Sequence, residues 1–199
     1  MRKANYLFFL FVISTITLTS QTVFWQEDFG TGCNQGQLVT AYSGTNGAWT
    51  LGLTGTNGAE KNEFFVSAME NGNAVGACGS NRTLHIGSDD GFFTSDPGAA
   101  YNAGGLCGSF FCVATDIRAE SPTINCTGRS NITLSFNYIE FGSGTTDNAT
   151  LWYFNGATWS QLVDLPKTAC CGGPCNGTRQ ALWTKYTIAL RKSWLPLGK

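Results

Sequence analysis

Ionisable residues are scarce in this chain. Asp, Glu, Lys and Arg make up 13% of its 199 residues, about half the usual share. Twelve Lys and Arg nearly balance 13 Asp and Glu, for a net charge of −1. No basic stripe exists, so nothing steers the chain toward nucleic acid. There is one histidine, His85, which excludes a His-based metal triad. A Ser-His-Asp arrangement would have to use that residue, yet it lies mid-way along an expected strand, where a packed or surface histidine is ordinary. The motifs G-x-S-x-G, H-E-x-x-H, the P-loop and G-x-G-x-x-G do not occur. Glycoside hydrolysis needs two carboxylates flanking a cleft. The acids Glu27, Asp28, Glu140, Asp147 and Asp164 are scattered, and the close-spaced strand motif E-x-D-x-x-E is missing. Sustained helical periodicity is lacking beyond the N-terminus, as is any second long apolar run.

The one long apolar run sits in "MRKANYLFFLFVISTITLTSQ". Arg2 and Lys3 precede it and small polar residues follow, the layout of a secretory signal peptide spanning residues 1–20. The run from Tyr6 to Ile16 is about half the ~20 residues a membrane span needs, so a cleaved signal is favoured over an anchor. Cleavage leaves no span and places the chain outside the cell or at its surface. Eight cysteines agree with export: Cys33, Cys78, Cys107, Cys112, Cys126, Cys170, Cys171 and Cys175. In a secreted chain an even count reads as disulfides, with roughly a hundred possible pairings. Cys107–Cys112 and Cys171–Cys175 are short enough to close locally, and adjacent Cys170 and Cys171 rarely bond each other. Zinc is the rival reading. "CCGGPC" holds a C-x3-C spacing, but no second pair with ligand spacing follows it.

Twenty-five glycines and frequent Asn and Thr suit short strands joined by turns. "TVFWQEDFGTG" reads as a short apolar strand ending in two acids. "GTNGA" occurs at Gly44–Ala48 and again at Gly55–Ala59. Asn-Gly favours tight turns, so the pattern predicts turn, strand ("WTLGLT"), turn. "NEFFVSAMENG" reads as a strand or a helical turn, and "RTLHIGS" as a strand. The segment "DDGFFTSDPGAAYNAGGLCGSF" is a long loop, and "FCVATDIRAESPTIN" resumes strand character. In "NITLSFNYIEFGSGTTDNATLWYFNGATWSQLVDL" the residues Ile132, Leu134, Phe136 and Tyr138 share one face. The turns "GSGTTDN" and "NGA" then predict a β-meander of three strands. "LWTKYTIAL" is one further strand. The expected fold is all-β, a two-sheet antiparallel β-sandwich over residues 21–190, with 191–199 outside the domain.

Calcium suits hard oxygen ligands at sheet ends. Glu27 and Asp28 follow the first expected strand, while Asp89, Asp90 and Asp147 lie in expected loops. Acids in glycine-rich turns more often cap backbone N–H groups. Aromatic stacking on a sugar is open to Trp152, Trp159, Trp183 and Trp194, and to Phe92 and Phe93 in the long loop; tryptophans alternating along strands more often pack a core. N-glycosylation sequons occur at Asn81, Asn125, Asn131, Asn148 and Asn176, and matter in a host that glycosylates them.

The run "ITLSFNYIEFG…DNATLWYFNGATWSQL…LWTKYTIAL", together with "WQEDFG", resembles the MAM-like, concanavalin A-like jelly-roll modules of bacterial extracellular adhesins (the cleaved-adhesin or choice-of-anchor type). The resemblance spans about Phe24 to Leu190 and is diffuse. It implies a jelly roll that serves in adhesion or carbohydrate binding and lacks catalysis. Such modules also serve as accessory parts of larger secreted hydrolases or proteases; a glycoside hydrolase in its own right ranks third. The partner it implies is an extracellular glycan or a cell-surface protein. Relatives of this type belong to large proteins of gliding bacteria exported by type IX secretion. In some of them an acid of the opening "EDF" joins acids of a closing strand around calcium; only Glu27 and Asp28 match. Two further strands usually follow the "Y-x-I-x-L" strand, the last ending in paired aspartates. Neither follows here, nor does a C-terminal sorting module, so the resemblance implies a domain truncated at its C-terminus with an exposed sheet edge.

Overall fold

The computed structural model describes residues 21–32, 38–58, 61–68, 81–87, 96, 106–107, 110–111, 114–140, 147–168 and 183–190. The expected signal peptide, the tail 191–199 and the "CCGGPC" segment lie outside them. Among these residues twelve strands follow in chain order: β1 (Ser43–Gly44), β2 (Gly47–Ala48), β3 (Thr50–Leu53), β4 (Glu63–Ser67), β5 (Thr83–Gly87) and β6 (Leu106–Cys107), then β7 (Phe110–Phe111), β8 (Ile117–Glu120), β9 (Thr133–Tyr138), β10 (Thr150–Phe154), β11 (Trp159–Asp164) and β12 (Thr184–Ala189). A 3₁₀ turn at Val39–Ala41 is the sole helical element among the described residues. Each strand pairs antiparallel with one other, giving β1–β2, β3–β8, β4–β5, β6–β7, β9–β12 and β10–β11. The fold class is all-β and antiparallel, as composition and alternation predict.

The two "GTNGA" copies behave differently. The first is a hairpin, with Ser43 facing Ala48 and Gly44 facing Gly47. Gly47 has φ +122, a backbone state that disfavours a side chain. The second is no hairpin. The chain runs on from β3 beside Ala114–Asp116, with Thr54 N–H donating to the Asp116 carbonyl at 3.0 Å and Gly58 N–H to the Ala114 carbonyl at 2.9 Å. Asn57 replaces a peptide group in this ladder: its Nδ2 donates to the Asp116 carbonyl at 2.8 Å, and its Oδ1 accepts from Asp116 N–H at 2.7 Å. The same amide side chain that suits a turn serves as a strand partner when a second strand lies within reach.

The opening segment also departs from expectation, because residues 21–30 join no ladder. Glu27 Oε1 accepts the N–H of Phe29 at 3.0 Å, and Asp28 Oδ1 that of Gly30 at 2.9 Å. The acids cap the backbone and turn the chain. Phe29, Gly30 and Gly32 have φ of 57, 76 and 110, which ends extended structure.

Two apolar clusters result. In the first, Val39, Tyr42 and Val66 are buried and Phe29, Trp49, Leu51, Phe64, Leu84 and Ala119 pack round them. Each apolar side chain so buried contributes about 1.5–3 kcal/mol. In the second, Leu134, Phe136 and Tyr138 of β9 face Ile188, Tyr186 and Thr184 of β12. The rings of Phe136 and Tyr186 lie 5.8 Å apart and those of Tyr138 and Tyr186 6.2 Å, edge-on. The face that the sequence assigns to Leu134, Phe136 and Tyr138 is therefore the one that packs. The predicted meander is not: among the described residues β9 pairs with β12 rather than with β10. Period-2 alternation specifies which side chains share a face, but not which strand supplies the neighbour.

Candidate ligand-binding face

The β10–β11 hairpin follows from its turn. Asn155 Oδ1 accepts the N–H groups of Ala157 and Thr158, both at 2.9 Å, and Gly156 takes φ +95. The turn fixes the register, so Phe154 faces Trp159, Trp152 faces Gln161 and Thr150 faces Asp164, with a shift between Leu151 and Trp152. Side chains alternate across a strand. Thr150, Trp152 and Phe154 therefore share a face with Trp159, Gln161 and Asp164, while Leu151, Tyr153 and Val163 turn the other way. Exposure follows this division: Trp152 is 38% and Phe154 45% exposed, whereas Leu151, Tyr153 and Val163 are half-buried.

Each ring on this face is held. Trp152 Nε1 donates to Thr150 Oγ1 at 2.9 Å. The rings of Phe154 and Trp159 are 5.0 Å apart at 30°. The Arg118 guanidinium from β8 lies 3.6 Å from the centre of the Trp159 ring, a favourable cation–π placement. Arg118 is in turn held by Glu120 Oε1, accepting from Nε at 3.0 Å and Nη2 at 2.6 Å. At the other end of the hairpin Asn148 Nδ2 donates to Asp164 Oδ2 at 2.9 Å. Fixed rings, with Trp152 and Phe154 exposed and Trp159 half-buried, bordered by amides and a carboxylate, can stack on an apolar ligand face and hydrogen-bond its rim.

Trp152 and Trp159 are thus brought together, as stacking candidates require. Trp183, at 37% exposed, precedes β12; Phe92, Phe93 and Trp194 lie outside the described residues. Phe154 and Arg118 were not legible as partners. The sequence signal for Phe154 was present, since T-x-W-x-F places it two residues from Trp152 and the "NGA" turn sets Trp159 opposite. No local pattern announces Arg118.

Of the calcium candidates, Glu27, Asp28 and Asp147 are described. Glu27 uses Oε1 to accept from the Tyr42 hydroxyl at 2.8 Å as well as from Phe29, and Oε2 to accept from Trp49 Nε1 at 3.3 Å. Asp28 caps Gly30. The Asp147 carbonyl accepts from Lys167 Nζ at 2.5 Å, and that ammonium also contacts Glu140 Oε1. Asp89 and Asp90 lie outside the described residues. Among the described residues no three acids, histidines or cysteines gather around a point suited to a metal.

Among the described residues the Cys126 thiol is free. Burial pushes its pKa up, against the opposing charge of Arg129. For Cys107 the backbone alone is described; Cys33, Cys78, Cys112, Cys170, Cys171 and Cys175 lie outside the described residues. His85 is buried, with Nε2 2.9 Å from Asp96 Oδ1 and Nδ1 3.2 Å from Thr83 Oγ1. Ser67 donates to the other Asp96 oxygen. The carboxylate separates hydroxyl from imidazole, so the histidine has no hold on the serine proton that a nucleophile would give up. No protein-family model, curated protein or solved structure matches this chain.

Proposed function

We propose that this chain is a secreted β-sandwich module of jelly-roll type that binds glycans or other cell-surface polymers and does no catalysis. The observation that carries this reading is the face formed by exposed Trp152 and Phe154 with half-buried Trp159, held in place by Thr150 and Arg118. Aromatic platforms fit the C–H faces of sugar rings, and preorganised rings lose little entropy on binding. Asn148, Gln161 and Asp164 supply amide and carboxylate groups for hydroxyls at the rim. The export-type N-terminus supports an extracellular partner.

A glycan array probed with the wild-type chain and with a Trp152→Ala/Phe154→Ala variant tests this. The expected result is binding to at least one glycan class, reduced about tenfold or more in the variant, which corresponds to about 1.4 kcal/mol. Circular dichroism of the two proteins should match. Equal binding by both would remove the face from the interaction, and no binding by the wild type would remove the glycan reading.

A further inference from the structure

The β10–β11 face has a one-sided charge. From Ala149 to Leu165 the chain contains a single carboxylate, Asp164, and no Lys, Arg or His. Asp164 is exposed and sits on the same face as Trp152 and Phe154, opposite Thr150 in register. Among the described residues, two cations near the hairpin, Arg118 and Lys167, are already engaged. Arg118 donates twice to Glu120 while stacked over Trp159. Lys167, just beyond β11, contacts the Glu140 carboxylate and the Asp147 carbonyl.

An anionic sugar laid across these rings would meet the Asp164 carboxylate and find no uncommitted cation on the hairpin. It would have to break the Arg118–Glu120 pair and leave Glu120 without its partner. A neutral sugar meets neither cost, and its hydroxyls can donate to the Asp164 carboxylate, a charge-assisted bond. Resting on the glycan reading above, we infer that this face accepts uncharged polysaccharides and rejects uronate- or sulfate-bearing ones, and that Asp164 is the residue that sets this selectivity. Specificity of this kind comes from a repulsive element as much as from an attractive one.

Native affinity electrophoresis distinguishes the possibilities. Gels are cast without polymer, with neutral polymers (galactomannan, xyloglucan, mixed-linkage β-glucan) and with anionic ones (polygalacturonate, alginate, chondroitin sulfate). Mobility is read as a ratio to the polymer-free gel, at low and at high salt. Wild type should be retarded by at least one neutral polymer at both salt levels and by no anionic polymer. Asp164→Lys should gain retardation by anionic polymers at low salt and lose it at high salt, where exposed charges are screened. Asp164→Asn, which keeps the shape of the side chain, should show a smaller gain in the same direction and guards against a folding defect in the lysine variant. Wild-type retardation by anionic polymers at low salt would overturn the inference while leaving the glycan reading standing. So would unchanged selectivity in both variants. Absence of retardation in every gel would instead overturn the glycan reading.

Discussion

Replacing Glu27 with alanine isolates the interaction that organises the first apolar cluster. The carboxylate accepts from the Tyr42 hydroxyl, Trp49 Nε1 and Phe29 N–H. Tyr42 is buried, so its orphaned hydroxyl carries a desolvation cost of about 1–3 kcal/mol. Trp49 and Phe29 are half-buried, and water can replace part of their bonds, adding about 1 kcal/mol between them. The expected loss is about 2–4 kcal/mol, and a chain of this length loses roughly 2–4 °C of melting temperature per kcal/mol, so a shift of about 10 °C is expected. Tyr42→Phe removes donor and bond together and should cost about 1–2 kcal/mol. In the double variant the effects should fall short of additivity by about 1 kcal/mol, because the two residues share one bond. Urea unfolding followed by tryptophan fluorescence gives all four free energies, with Trp49 a reporter inside the cluster. A Glu27→Ala loss under about 0.5 kcal/mol would refute the reasoning, as would full additivity. So would a wild-type midpoint that rises with added calcium while the variant's does not, since the carboxylate would then serve a cation.

Three further outcomes are expected. Tyr42 has a raised pKa, chiefly from burial and then from its bond to Glu27; Tyr138 and Tyr153 are raised chiefly by burial. Phenols raised in the folded state leave stability intact below the unfolded tyrosine pKa of about 10, and stability is lost as pH rises above it; Tyr42→Phe should flatten that alkaline fall in unfolding experiments. Arg118→Ala should destabilise by about 0.5–1 kcal/mol, the usual worth of a partly exposed cation–π contact, and should change the emission of Trp159. Asp96→Ala should cost about 2–4 kcal/mol in denaturant unfolding, because it removes a buried acceptor from both Ser67 and His85 and leaves them to find other partners.

Local pattern revealed the strands more readily than their pairing. Ile132 to Tyr138 could be assigned to a face because burial enforces a period of two. That Tyr186 faces Phe136 is a contact between distant segments, and nothing local to either names the other. The hairpin was legible because Asn155-Gly156 carries its own turn chemistry. In the second "GTNGA" the same chemistry misled, since Asn57 had Asp116 to bond. Glu27 and Asp28 were visible as acids in a glycine turn; whether they would cap or coordinate depended on Tyr42 and Trp49 arriving beside Glu27. Arg118 over Trp159 depends on how β8 lies relative to the hairpin, which no spacing encodes.

Ser135 and Thr187, whose hydroxyls lie 3.1 Å apart, are separated by 52 residues. Loops of that length close slowly relative to hairpins. As the chain emerges in order, β9 is complete long before its partner exists, whereas β10 and β11 pair as soon as they appear. β9 must therefore wait with its pairing edge open, and with Phe136 and Tyr138 lacking Tyr186 as a neighbour, while the β10–β11 hairpin forms. That interval is a window for wrong strand pairing, and it makes the arrival of Thr184–Ala189 the step that commits this half of the chain to its native partner.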